Sequence, residues 1–113
     1  TIRYDAASKR YWTLASVATE GTPSDPASVR NRLCLLRSSD LRTWEHRATL
    51  LEHRDWKRVG FQYVDWQFEG TDLIAVCRTA YADAEGGAPN NHDANYLTFH
   101  RVGDFRNASD RAR

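Results

Sequence analysis

The 113-residue chain contains no methionine, only two cysteines and no excess of either charge. Without methionine it does not begin at a translation start, so it reads as a processed or truncated piece, or as one lacking its start. Lys and Arg number 16 against 15 Asp and Glu, a formal charge of +1. A balance of that kind gives no reason to expect nucleic acid or an anionic membrane as partner. No run approaches the roughly 18 apolar residues of a membrane-spanning helix, and no signal peptide is visible. The cysteines, Cys34 and Cys77, show no CxxC spacing and suggest no zinc site. Each lies inside an apolar run, LCLL and IAVC. Burial as free thiols is the simpler expectation; a disulfide needs a geometry that sequence does not supply.

What the chain does have is aromatic residues: four Trp, five Tyr and four Phe. They sit in short apolar runs separated by Gly, Asn and Asp clusters, which favours an all-β chain. Residues 60–78, GFQYVDWQFEGTDLIAVCR, are the centre of the pattern. Two apolar runs flank a Glu-Gly-Thr-Asp turn signal, so a hairpin buried on both faces is expected. Further strands are expected at residues 1–4, 10–17, 31–37, 44–51 and 96–100. Two long loops, 18–29 and 79–93, carry the prolines and half of the glycines. The polar tail, 107–113, should fray. Within it Asn107-Ala108-Ser109 matches the glycosylation acceptor pattern, a motif with many chance matches.

The order of elements repeats. Leu35-Leu36-Arg37-Ser38-Ser39-Asp40-Leu41-Arg42 aligns with Phe99-His100-Arg101-Val102-Gly103-Asp104-Phe105-Arg106 at a shift of 64 (Arg37 to Arg101, Asp40 to Asp104). The hairpins at 1–17 and 61–79 also correspond, the shift falling to about 62 past the turn. Each unit holds a hairpin, a long loop, a third strand, an Asp-apolar-Arg turn and a fourth strand, and the second unit stops before its fourth. Four-stranded repeats are the signature of propeller blades. Blade one would span about 1–51 and blade two about 60–106. Two blades cannot close a ring of about 4–8, so the chain reads as a β-propeller fragment completed by the remaining blades of a parent protein or by self-association. The competing architecture is a single sandwich of seven or eight strands.

Ser38-Ser39-Asp40-Leu41-Arg42-Thr43-Trp44 resembles a shortened Asp-box, the S-x-D-x-G-x-T-W turn of sialidases, one residue shorter and without the glycine. It is equally similar to the S-x-D-L-x-x-W turn of five-bladed propeller glycosidases. Together with FQYVDWQFEGTDLIAVCRTAY and NNHDANYLTFHRVGDFR, it resembles sialidase-like, BNR-repeat glycosyl hydrolases over most of residues 2–106. The resemblance implies a structural turn, with Asp40 accepting backbone N–H groups and Trp44 packed beneath, on the face away from the active site. It implies a carbohydrate ligand, no cofactor, and a secreted or periplasmic setting. Fold of this kind does not fix the chemistry.

If the Asp40 and Asp104 turns mark one end, loops 18–29, 52–60 and 79–95 gather at the other, where sites are normally built. Arg78 ends an apolar strand there and, by the resemblance, would clamp a substrate carboxylate with its fork of donors; the alternative is an ion pair with Asp65 or Asp93. His92, Asp93 and Asn95 form the densest polar cluster. Asp93 is a candidate general acid or base, with His92 orienting it, or else these residues shape the loop. Asn95, Gln62, Tyr63 and Trp56 are candidate sugar contacts, Trp56 as a stacking platform or a loop anchor. Asp65, inside a hydrophobic strand, should be paired or neutralised. Glycosidases commonly use two carboxyl groups about 5–9.5 Å apart, and Asp65 with Asp93 is the best pair. No sialidase-type Tyr–Glu pair is recognisable, and no spacing matches a metal template. Asp83 and Glu85 read as solvated. The alternative to a hydrolase is a non-catalytic carbohydrate-binding or structural propeller segment.

Overall fold

The computed structural model describes residues 1–18 and 28–110. Residues 19–27, most of the first long loop, and 111–113 of the tail lie outside the described residues. The chain is all-β, an incomplete pair of blade-like antiparallel sheets, both open. The first sheet has the order β1 (Ile2–Asp5), β2 (Arg10–Ser16), β3 (Arg32–Ser38), β4 (Glu45–Glu52). The second has the order β5 (Gly60–Glu69), β6 (Asp72–Ala80), β7 (Tyr96–Val102). Each is a meander of consecutive strands, and no described strand crosses from one sheet to the other. A Greek-key sandwich would require such crossings.

Alternation along the strands decides which faces meet. Trp12, Leu14, Leu33 and Leu35 project from the first sheet onto Trp66, Leu73, Ala75 and Cys77 of the second, and all eight are buried. The hairpin of the second sheet turns through Gly70, whose φ of 61° is the left-handed conformation that glycine enters without penalty. This hairpin is buried on one face rather than two. Leu73, Ala75 and Cys77 face the core, whereas Val76 and, across from it, Phe99 are exposed. The apolar run is long enough to suggest a central, two-sided strand, but among the described residues only one sheet stands against it.

The described part of the tail, residues 103–110, packs against both sheets. After β7 one turn of 3-10 helix, Phe105–Asn107, inserts Phe105 edge-on to Trp12 at 5.1 Å and stacked on Phe68 at 5.5 Å. Ala108 packs against the core, and the Asp110 carboxylate accepts the Thr49 backbone N–H at 2.6 Å. The expected fraying is therefore corrected for residues 107–110, because Phe105 is an anchor. In the glycosylation-like triplet, the Asn107 amide donates to both carboxylate oxygens of Asp104.

The Asp40 turn follows its expected design. The carboxylate accepts the N–H groups of Arg42 and Thr43, both at 2.9 Å, while Ser38 Oγ accepts those of Asp40 and Leu41. These bonds hold the Asp40 carboxyl below its ordinary value. Trp44 is half-buried.

Candidate functional site

Loop ends collect at the end of the sheets opposite the Asp40 turn. Phe61 N–H donates to Arg30 O at 2.8 Å and His53 N–H to Asn31 O at 2.9 Å. His53 stands edge-on to Tyr81, ring centroids 5.4 Å apart. Arg58 donates to the carbonyls of Ala88, at 3.2 Å, and Gly86. Between these groups lies a cavity of about 110 Å³ lined by His53, Asp55, Arg58 and Tyr81. Its one guanidinium is already committed to backbone carbonyls and is not free for an anionic ligand.

Arg78 is placed by pairing with β5, opposite Gln62. Between Gln62 and Asp65 the register slips, and Tyr63 takes a φ of 51°. That conformation is uncommon for a residue other than glycine, and a bulge re-aims the side chain it carries. Tyr63 accordingly turns out to solvent, 61% exposed. Its ring lies under the Arg78 guanidinium at 5.1 Å, within cation–π range. It also meets His92 edge-on at 6.1 Å, with Tyr63 Oη 3.4 Å from His92 Nε2. His92 Nδ1 lies 3.5 Å from Asp93 Oδ1. Arg78, Tyr63, His92 and Asp93 thus form one exposed cluster. Among the described residues the Arg78 guanidinium makes no hydrogen bond or ion pair, so the ion-pair alternative for it is not realised.

Asp93 is fixed from its own loop. Asn90 donates its amide to Asp93 Oδ2 at 3.0 Å and, through Oδ1, accepts the N–H groups of His92 and Asp93. The Asn90 bond first, then His92, pull the Asp93 carboxyl below its ordinary value, with Arg78 contributing at longer range. It is a carboxylate at neutral pH, suited to facing a cation rather than to serving as a general acid.

The other candidates hold the loop. Gln62 is 3% exposed and donates to the carbonyls of Asn91 and His92 at 2.9 and 2.6 Å. Asn95 exchanges hydrogen bonds with both backbone groups of Tyr81 and donates to Asp83 at 2.8 Å. Asp83 in turn accepts the N–H groups of Glu85 and Gly87; it organises its loop rather than merely facing solvent. Trp56 is half-buried, with Lys57 Nζ over its ring at 5.4 Å and its carbonyl taken by Asn91, which favours the anchor reading. Asn91 is the residue that sequence reasoning missed. Its amide donates to Ser28 O at 2.7 Å and Trp56 O at 2.9 Å, tying three segments together. An Asn-Asn pair in a loop signals only a turn, so nothing in the sequence singled it out.

Asp65 belongs elsewhere. It is largely exposed, accepts the Trp66 N–H at 3.0 Å and faces Arg3 at 3.9 Å. The expected pairing is met, though at the surface: pleating aims the carboxylate out of the sheet toward β1. Its partner is Arg3, and no described contact joins it to Asp93. Among the described residues no three His, Cys, Asp or Glu side chains are grouped as metal ligands. Comparison with family models, with curated proteins and with solved structures finds no match for the chain.

Proposed function

We propose that the chain is part of a sialidase-like β-propeller and binds, at its loop end, a glycoside that carries a carboxylate. The observation behind this reading is the uncommitted guanidinium of Arg78, backed by the Tyr63 ring and flanked by His92. An arginine stacked on an aromatic ring keeps its donor edge for a planar anion. An exposed tyrosine beside it offers an amphipathic surface for a sugar ring. Binding is favoured over cleavage because hydrolysis commonly needs a second carboxyl group, and Asp65 is engaged with Arg3. Hydrolysis is the second reading. It draws on the line of contacts from Asp93 through His92 to Tyr63, in which a histidine stands between a carboxylate and a phenol.

The test is an array of acidic and neutral glycans probed with the chain and with Arg78→Lys. Lysine keeps the charge and loses the planar fork. Binding confined to acidic glycans and weakened at least about tenfold by the substitution, with an unchanged melting temperature, is the expected result. Equal affinity of the two proteins would remove Arg78 from the site. Release of the aglycone from aryl glycosides would promote the second reading.

A further inference from the structure

The two sheets correspond position by position. β3 and β7 begin 64 residues apart, at Arg32 and Tyr96, and end 64 apart, at Ser38 and Val102. β2 and β6 begin 62 apart, at Arg10 and Asp72, and these are the residues paired with Asp5 and Glu69 across the hairpin turns. These offsets transfer faces from one sheet to the other.

The face of the first sheet that is buried against the second carries Trp12, Leu14, Leu33 and Leu35. Its counterparts are Ile74, Val76, Leu97 and Phe99. They share the outer face of the second sheet, where Val76 is paired with Phe99. Nothing among the described residues covers them: Val76 is 41% exposed, Leu97 73% and Phe99 61%. Conversely, Trp66, Phe68 and Ala75 of the buried face of the second sheet correspond to Ile2, Tyr4 and Thr13. There Ile2 and Tyr4 stand 55% and 52% exposed on the outer face of the first sheet. The chain therefore contains one formed interface between sheets and both halves of a second one, unformed, on its two outer faces. Adjacent exposed apolar residues of this kind mark an interaction surface.

We propose that the outer face of the second sheet, carrying Ile74, Val76, Leu97 and Phe99, docks the outer face of the first sheet of a second copy of this chain. The occupant is identified by continuity with the interface already formed. Among the described residues, the face around Ile2 and Tyr4 is the one that repeats the pattern seated on Trp12 and Leu35. A cavity of about 140 Å³ supports the registration. It is lined by Asp65, Gln67, Val76 and Phe99. Asp65 and Gln67 are the counterparts of Thr1 and Arg3, which hold Trp66 inside the chain: Trp66 Nε1 donates to Thr1 O at 2.9 Å, and Arg3 lies over the indole at 5.6 Å. The counterpart of Trp66 is Ile2, so the neighbour's Ile2 enters this cavity. The contact joins two different faces, so copies add head to tail until the rotation closes a ring. The inference does not rest on the glycan reading.

Sedimentation velocity of the chain over a wide concentration range tests it, with circular dichroism to confirm that each variant is folded. The wild-type mass should rise with concentration beyond a dimer. Phe99→Asp, which blocks one half, and Tyr4→Asp, which blocks the other, should each be monomeric alone. Mixed in equal amounts they retain one intact half each and should give a dimer and nothing larger. Leu97→Lys replaces Phe99→Asp if the latter is unfolded. A wild-type chain monomeric at every concentration overturns the proposal and leaves the face to a different polypeptide. So does a Tyr4→Asp variant that assembles like wild type while Phe99→Asp does not, since that outcome means second sheets pairing with each other. Two folded variants that fail to combine overturn it as well.

Discussion

Asp5 and Arg106, 101 residues apart in sequence, form a two-pronged ion pair: Arg106 Nε and Nη2 donate to the two Asp5 oxygens at 2.8 and 2.7 Å. Asp5 is 5% exposed and lies at the end of β1; Arg106 leaves the 3-10 turn that follows β7. The pair therefore pins the start of the first sheet to the end of the second, beside the Trp12 and Phe105 rings. The Arg106 bond, ahead of the bonds from Ser8, holds the Asp5 carboxyl far below its ordinary value, against the opposing effect of burial. Removing one member leaves the other buried and unpaired, so Arg106→Ala should cost about 3 kcal/mol in urea denaturation.

The same pair sets an acid limit. The unfolded Asp5 takes a proton near about pH 4, the folded one only well below that. Between the two values the unfolded state binds more protons, so stability from this group is present above about pH 4 and is lost as the pH falls through and below it. Urea midpoints measured from neutral pH to pH 2 should fall on the acid side, and Arg106→Ala should flatten that fall. Parallel acid limbs in the two proteins would assign the loss to other carboxylates.

The approach of Gly60 to the 90–93 loop leaves no room for a side chain. A Cβ at Gly60 would lie 2.3 Å from the Asn91 carbonyl oxygen, a backbone atom that cannot rotate away. Gly60→Ala should therefore destabilise by about 1–3 kcal/mol, the usual cost of overpacking. It should also speed amide exchange at His92 and Asp93, whose loop hangs from Gln62 and Asn91. Unchanged exchange there would mean that the loop shifts as a body and that its anchoring is looser than the geometry implies.

Both cysteines are free, fully buried and on different sheets, Cys34 on β3 and Cys77 on β6. Burial pushes both thiols above their ordinary value, which keeps the reactive thiolate scarce. Ellman's reagent at pH 8 should find almost no thiol in the folded chain and both in denaturant without reductant. Rapid labelling of the folded chain would place at least one thiol at the surface.

Much of the fold was legible because it is local. Alternation and turn signals located every described strand to within a few residues, and the 64-residue offset reappears in the bounds of β3 and β7. Arg78, His92 and Asp93 were legible as a cluster because a strand end and a loop end are brought together by one sheet. The conformation of Tyr63 was not, since a bulge depends on how two strands accommodate each other. Asp65 was legible as a paired carboxylate, but its partner was not: pleating sends alternate residues outward and gives it to Arg3 rather than to Asp93. Arg3, Asn91 and Arg106 act across 29 to 101 residues through pairings that exist only after the sheets have packed.

The repeat itself breaks down at one place that can be tested. Alignment puts Asp104 where Asp40 stands, yet the two do different work. Asp40 accepts two backbone N–H groups and closes its turn, and the left-handed residue there is Leu41 at φ 66°. Asp104 is itself left-handed at φ 47°, and among the described residues its carboxylate accepts only the Asn107 amide. The N–H of Asp104 is instead capped by Asp72 at 2.9 Å. Asp40→Ala leaves two turn N–H groups without their acceptor and should lower the melting temperature. Asp104→Gly loses one exposed bond but removes the conformational strain of a left-handed non-glycine residue, so it should leave the melting temperature level or slightly higher. Asp72→Ala should reproduce the loss seen at Asp40, because in the second unit Asp72 has taken over the capping. Equal losses at Asp40 and Asp104 would restore the sequence-level equivalence and contradict the division of labour drawn from the hydrogen bonds.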